Sequence, residues 1–172
     1  MKKLILLFLL AACSLHSEAQ VYDVRGAFSL SLSGAYIPGG WGTGLSADYC
    51  FTERWSLGLS GLYTRRKPFS GHPQADVFAV LSASYNVILS RRAGVMIRPY
   101  AGTAYNHVSI QNVNLPLEHE FLFGIAYGGE VEKTLPHGWG VSLSAHQINL
   151  LTGTHAKNEF WAALKIKKYL NY

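Results

Sequence analysis

Cysteine is nearly absent from this chain. Only Cys13 and Cys50 occur, and Cys13 lies in a stretch that reads as a leader, so no intrachain disulfide can staple the mature domain. Long hydrophobic runs are also missing. Although 49% of the residues are hydrophobic, no apolar run after the leader approaches the roughly 20 residues of a membrane helix. Charge is sparse at 15% with a net of +5. Lys and Arg are scattered among strand ends and turns rather than gathered on one element, so no direct nucleic-acid binding is expected. The histidines show no ligand spacing such as H-x-x-x-H. Gly39-Gly40 and Gly42-x-Gly44 precede no helix and so form no phosphate loop. The sequence therefore assigns no catalytic, cofactor-binding or metal-binding residue. No low-complexity segment, linker or second domain is visible.

The N-terminus reads as a secretory signal. Lys2 and Lys3 precede the apolar run Leu4 to Ala12, and a polar stretch ends in Ser17-Glu18-Ala19. A charged region, a short apolar region and a small-x-small site predict cleavage after Ala19. Residues 1–19 are then the signal and 20–172 one domain. A second reading stays open: Leu10-Ala11-Ala12-Cys13 resembles a bacterial lipobox, which would make Cys13 a lipidated first residue.

Beyond the signal, small or polar residues alternate with apolar ones. Phe28-Ser29-Leu30-Ser31-Leu32-Ser33, Trp55-Ser56-Leu57-Gly58-Leu59-Ser60 and Trp139-Gly140-Val141-Ser142-Leu143-Ser144 show it in its strictest form. Successive side chains of a strand point to opposite faces, so each stretch has one apolar face and one small, polar face. An exported chain without a membrane helix enters a bilayer only if closed strand pairing satisfies every backbone group. The pattern predicts an all-β fold: an eight-stranded antiparallel up-and-down transmembrane β-barrel, in the bacterial outer membrane, with its apolar face in lipid and a plugged polar interior. The expected strands are Val24 to Tyr36, Trp41 to Phe51, Trp55 to Tyr63, Val77 to Val87, Val95 to Asn106, Glu120 to Glu132, Trp139 to Gln147 and Glu159 to Tyr169. Short connections alternate with longer ones at Thr64 to Asp76, His107 to His119 and Ile148 to Asn158, which matches short periplasmic turns and longer outer loops. Pro99, which removes a ladder donor, is the weak point of the fifth strand.

Parity assigns the faces. Leu30, Leu32, Tyr36, Trp41, Leu45, Trp55, Leu57, Leu59, Tyr63, Phe121, Phe123, Trp139 and Phe160 point outward, with aromatics toward the strand ends as interfacial girdles. Arg25, Asp48, Arg98, Glu130, Glu132, Lys165 and Lys167 fall on the inner face, nearer the periplasmic ends. Arg98 and Glu130 or Glu132, on adjacent strands, are expected to pair, because buried charges require partners. An eight-stranded interior is just wide enough for its own side chains, so a filled barrel rather than a pore is expected.

Three groups of residues carry possible chemistry. His107-Val108-Ser109 puts an imidazole and a hydroxyl on one strand face, with Glu118 and Glu120 beyond the next loop; a base, a nucleophile and an orienting carboxylate need that set. The pattern resembles the His-x-Ser motif of outer-membrane lipid A deacylases, which implies a lipid-modifying enzyme; the Asn that follows the Ser in that family is Ile110 here. His72, His107, His119 and His155 are expected near the outer loops. Arg65-Arg66-Lys67 is a basic cluster expected to meet anionic lipid or glycan at the membrane rim, or an acidic partner.

A diffuse resemblance spans most of the mature chain. Tyr63-Thr64-Arg65-Arg66 follows a Trp-led strand. Phe121-Leu122-Phe123-Gly124 runs into Gly129-Glu130-Val131-Glu132 and Leu135, and His146-Gln147 leads to Leu150-Leu151-Thr152-Gly153 before Phe160-Trp161. Together these resemble the conjugative-transposon TraO family of small exported proteins. The resemblance implies a non-enzymatic outer-membrane component of a conjugative DNA-transfer apparatus. Its partners would be outer-membrane lipid and the other proteins of that apparatus. A general surface barrel for adhesion or envelope integrity is the remaining reading.

Overall fold

The computed structural model describes residues 25–66, 74–90, 93–110, 118–152 and 158–170. The signal at 1–19, Cys13, Lys67, His72 and His155 lie outside the described residues. Strict alternation becomes strand wherever it occurs. The strands are β1 (Phe28–Ile37), β2 (Gly40–Cys50), β3 (Trp55–Arg66), β4 (Gln74–Tyr85), β5 (Val87–Ser90), β6 (Val95–Ile110), β7 (Glu118–Leu135), β8 (Trp139–Leu150) and β9 (Asn158–Tyr169). β4 and β5 both pair with β6 and act as two segments of one barrel strand. Each barrel strand is antiparallel to its sequence neighbour, and β9 pairs back onto β1 from Ser29↔Tyr169 to Tyr36↔Ala162. The sheet is thus a closed eight-stranded barrel without free edges, the condition for strands to cross a bilayer.

The expected strands are all present, with shifted bounds: β1 starts at Phe28 rather than Val24, where Arg25-Gly26 forms a turn, β4 starts at Gln74, and β3 and β8 run on to Arg66 and Leu150. β6 and β7 run beyond 95–106 and 120–132, because their ladder continues from Val95↔Lys133 to Ile110↔Glu118. Backbone pairing tolerates the polar side chains there. Pro99 lies inside β6 opposite Gly129. Across from it, pairing lapses between Ser84↔Tyr100 and Val87↔Ile97, and the Asn86 N–H donates instead to the Arg54 carbonyl at 2.6 Å. The missing proline donor is accommodated at that break between β4 and β5.

Short connections, 51–54 and 136–138 among them, gather at one end with Leu170, whose N–H reaches the Phe28 carbonyl. At the other end β3, β6 and β8 finish and β4, β7 and β9 begin, and among the described residues Pro38-Gly39 forms a tight hairpin there, closed by Gly39 at φ +80°. These are called the turn end and the loop end; in barrels of this class the short turns are periplasmic. The middle of the exterior is an apolar band. Leu32, Leu45, Leu57, Leu59, Leu81, Ile125, Leu143, Leu164 and Ile166 are exposed in a middle band. Tyr49, Phe51, Trp55 and Trp139 ring the turn end, and Tyr36, Trp41, Tyr63, Phe121, Phe123 and Phe160 the loop end. Large apolar side chains exposed over a whole circumference suit a bilayer, not water.

Candidate functional site

The lumen is filled, and its two halves differ. Toward the turn end, β6, β7 and β9 each contribute long charged side chains. Lys167, fully buried, sends its ammonium to Glu132 Oε2 at 2.8 Å, Glu130 Oε1 at 3.0 Å and Asp48 Oδ2 at 3.5 Å. Arg98 reaches Glu132 at 3.4 Å and Glu130 at 3.6 Å, and its Nε donates to Asn86 Oδ1 at 2.8 Å. Lys165 pairs with Glu130 at 2.7 Å, and the Tyr169 hydroxyl donates to Glu132 Oε1. Three cations thus meet three carboxylates, and the buried cluster is neutral, as burial of charge demands. Small residues on β3 and β8 make room for it. At Gly58 a Cβ would sit 2.6 Å from Asp48 Oδ1, and at Gly140 2.9 Å from Glu132 Oε1. A polar cavity of about 30 Å³ remains beside the cluster, lined in part by Ser46, Ser60, Ser82 and Ser84.

Toward the loop end the filling is apolar. Ile37, Leu62, Phe78, Val80, Val108, Leu122, Ile148, Leu150 and Trp161 are buried together, with the Phe78 and Trp161 rings 5.1 Å apart. His146 joins the halves. Its ring stacks on Trp161 at 5.2 Å, while one nitrogen meets the Tyr100 hydroxyl and the other Ser144 Oγ at 2.7 Å. Nearer the loops, Arg66 binds Glu159 at 2.7 Å and Asp76 at 3.1 Å, joining β3, β4 and β9 across the lumen. Thr64 and Gln74 donate to the same Asp76 carboxylate.

The expected Arg98 pairing with Glu130 and Glu132 is present, and Asp48, Lys165 and Lys167 join it. Three expectations change. Arg25 lies exposed in the turn before β1, not in the lumen. Arg66 points inward by parity and is held by two carboxylates, so the basic cluster at the rim is split by the wall. The interior is not polar throughout: the parity that sends Phe121, Phe123 and Phe160 outward turns Leu122 and Trp161 inward, and Phe78 joins them. Arg66 and Asp76 lie beyond the expected strand ends at Tyr63 and Val77, where parity gives no assignment; Glu159 opens its expected strand, and with Phe160 outward its parity is inward.

His107 and Ser109 share the outer face of β6. His107 registers with Phe121, and their rings approach to 4.7 Å. Glu120 registers with the buried Val108, so parity puts it on the inner face. The wall therefore separates that carboxylate's face from the imidazole and hydroxyl. Ser109 registers with His119, and Ile110 with Glu118. His137 lies in the turn between β7 and β8. Among the described residues no group of three or more His, Cys, Asp or Glu side chains is arranged to hold a metal ion.

No protein-family model matches this chain, and no curated protein matches it in sequence. Solved structures match it in fold. The N-terminal β-barrel domain of Pseudomonas aeruginosa OprF aligns with a TM-score of 0.62 at 19% identity, covering 85% of this chain and 98% of that one. The outer membrane protein OprG from Pseudomonas aeruginosa aligns at 0.66 and 8% identity, covering 89% and 100%. Ail, the attachment invasion locus protein of Yersinia pestis, aligns at 0.54 and 15% identity, covering 85% and 99%. The closed barrel, its lipid-facing exterior and these likenesses together give the chain the outer-membrane β-barrel fold, placed in the bacterial outer membrane.

Proposed function

We propose that this protein is a non-enzymatic structural component of a conjugative DNA-transfer apparatus, anchored by its barrel and acting through its loops or turns. The observation that carries the structural part is the filled lumen. A neutral ion cluster and an apolar plug lie in series, and each blocks the passage of a solvated ion. The wall then serves as an anchor, leaving the two ends to meet partners. The conjugative assignment rests on the sequence resemblance to the TraO family. Its test is the transfer frequency of the mobile element from donors lacking this gene, with the gene restored as control. Collapse of transfer supports the assignment, and unchanged transfer overturns it. The filled lumen has its own test: a planar-bilayer recording of the purified barrel should show no stable open conductance.

A general surface barrel for adhesion or envelope integrity is the second reading. It draws on the fold likeness to Ail, the attachment invasion locus protein of Yersinia pestis. A lipid-modifying enzyme built on His107 and Ser109 is the third, and the inner-face parity of Glu120 argues against it. A change in lipid A acylation that disappears in His107→Ala would revive it.

A further inference from the structure

Three residues on the outer wall near the turn end form a small set that none of the functions above uses. Lys133 on β7 and Lys168 on β9 both face outward, one on each side of β8, which begins with Trp139. Lys168 registers with Trp139 and Lys133 with Val141, two residues further on. Strand spacing and rise put the two lysine Cα atoms about 12 Å apart along the wall. Both ammonium groups are tied to turn backbone. Lys133 donates to the Ala93 carbonyl and Lys168 to the His137 carbonyl. The Lys168 ammonium also lies 5.0 Å from the centre of the half-exposed Trp139 ring. His137 itself adopts φ +61°, ψ +31°, a left-handed conformation uncommon outside glycine. That backbone carries the carbonyl that receives Lys168.

Each carbonyl takes one ammonium hydrogen, and an ammonium group has three. The tether therefore holds each cation at the rim. An indole on the lipid-facing wall marks the headgroup level, so the cations stand where lipid phosphates lie. We propose that Lys133, Trp139 and Lys168 form a headgroup site for an anionic glycerophospholipid of the leaflet at the turn end. The two ammonium groups would contact phosphodiester oxygens, and the indole would pack against the glycerol and upper acyl chain.

The test uses the refolded full barrel in detergent with equimolar phosphatidylglycerol and phosphatidylcholine, read by native mass spectrometry. A basic side chain at a membrane surface gives roughly a fivefold preference for anionic lipid. The wild type should retain phosphatidylglycerol roughly tenfold or more over phosphatidylcholine, and Lys133→Gln/Lys168→Gln should lose most of that preference. Lys133→Arg/Lys168→Arg should keep it. An unchanged preference in the glutamine variant overturns the site, as does equal retention of the two lipids by the wild type. A salt series on the wild type gives a variant-free check. Headgroup attraction must weaken as salt rises, and a preference indifferent to salt also overturns the proposal.

Discussion

Toward the turns, the lumen is held by Arg98, Lys165 and Lys167 against Asp48, Glu130 and Glu132. Toward the loops, it is held by Phe78, Leu122, Ile148 and Trp161. Both fillings close the same cylinder, yet they respond to damage differently. The ion cluster is a set of mutual obligations. Removing one member leaves its partners charged and buried, and that penalty is set by desolvation rather than by volume. The apolar plug loses only transfer energy and packing, in proportion to the cavity left behind. A polar filling is thus more specific about its partners, and an apolar filling more tolerant of repacking.

The sharpest break in this comparison is Glu132→Ala. It leaves three buried cations facing two carboxylates and removes the acceptor of the Tyr169 hydroxyl, and should cost about 3–5 kcal/mol, read as a lowered urea midpoint of the refolded barrel followed by heat-modifiable gel mobility. Phe78→Ala, which empties the plug beside Trp161, should cost about 3–4 kcal/mol by the same assay. A plug variant that loses more than Glu132→Ala would invert the ranking and the argument behind it. The halves should also act independently. Glu132→Gln and Phe78→Leu lie far apart along the barrel, and their combined effect should equal the sum of the singles within about 0.5 kcal/mol. Strong coupling would mean that the lumen behaves as one unit. Lys165→Ala should have the smallest effect, about 1 kcal/mol, because Lys165 is the least buried cation of the cluster and Glu130 keeps Lys167 and Arg98.

Much of the wall was legible in the chain. Ser29-Leu30-Ser31-Leu32 and its counterparts have a single good solution, a strand with one face in lipid, and every strand they predict is present. The Arg98 pairing with Glu130 was legible because the two lie on adjacent antiparallel strands joined by one loop. The plug was legible only in part. Val77-Phe78-Ala79-Val80-Leu81 and Phe121-Leu122-Phe123 are apolar on both faces, so the parity that sends Phe121 to lipid turns Leu122 inward, but the contrast between a greasy and a polar face, which marks the lumen elsewhere, is missing there. Arg65-Arg66 hid its division for the same reason: two like residues in sequence stand on opposite sides of the wall. The candidate pair His107 and Ser109 was correctly placed on one face, but the register that opposes Phe121 to His107 depends on the β6–β7 ladder. No local pattern encodes that register.

The sequence by itself determined that this chain pairs its strands into a closed wall and which side chains meet lipid, because a period of two is a local property of consecutive residues. The tertiary structure decided what meets across the lumen. Arg66 finds Glu159 93 positions away, and Lys167 finds Asp48 on a strand that is not its neighbour in the sheet. Those contacts exist only after β9 closes on β1 and β4 on β6, since closure fixes the height at which each inward side chain enters the lumen.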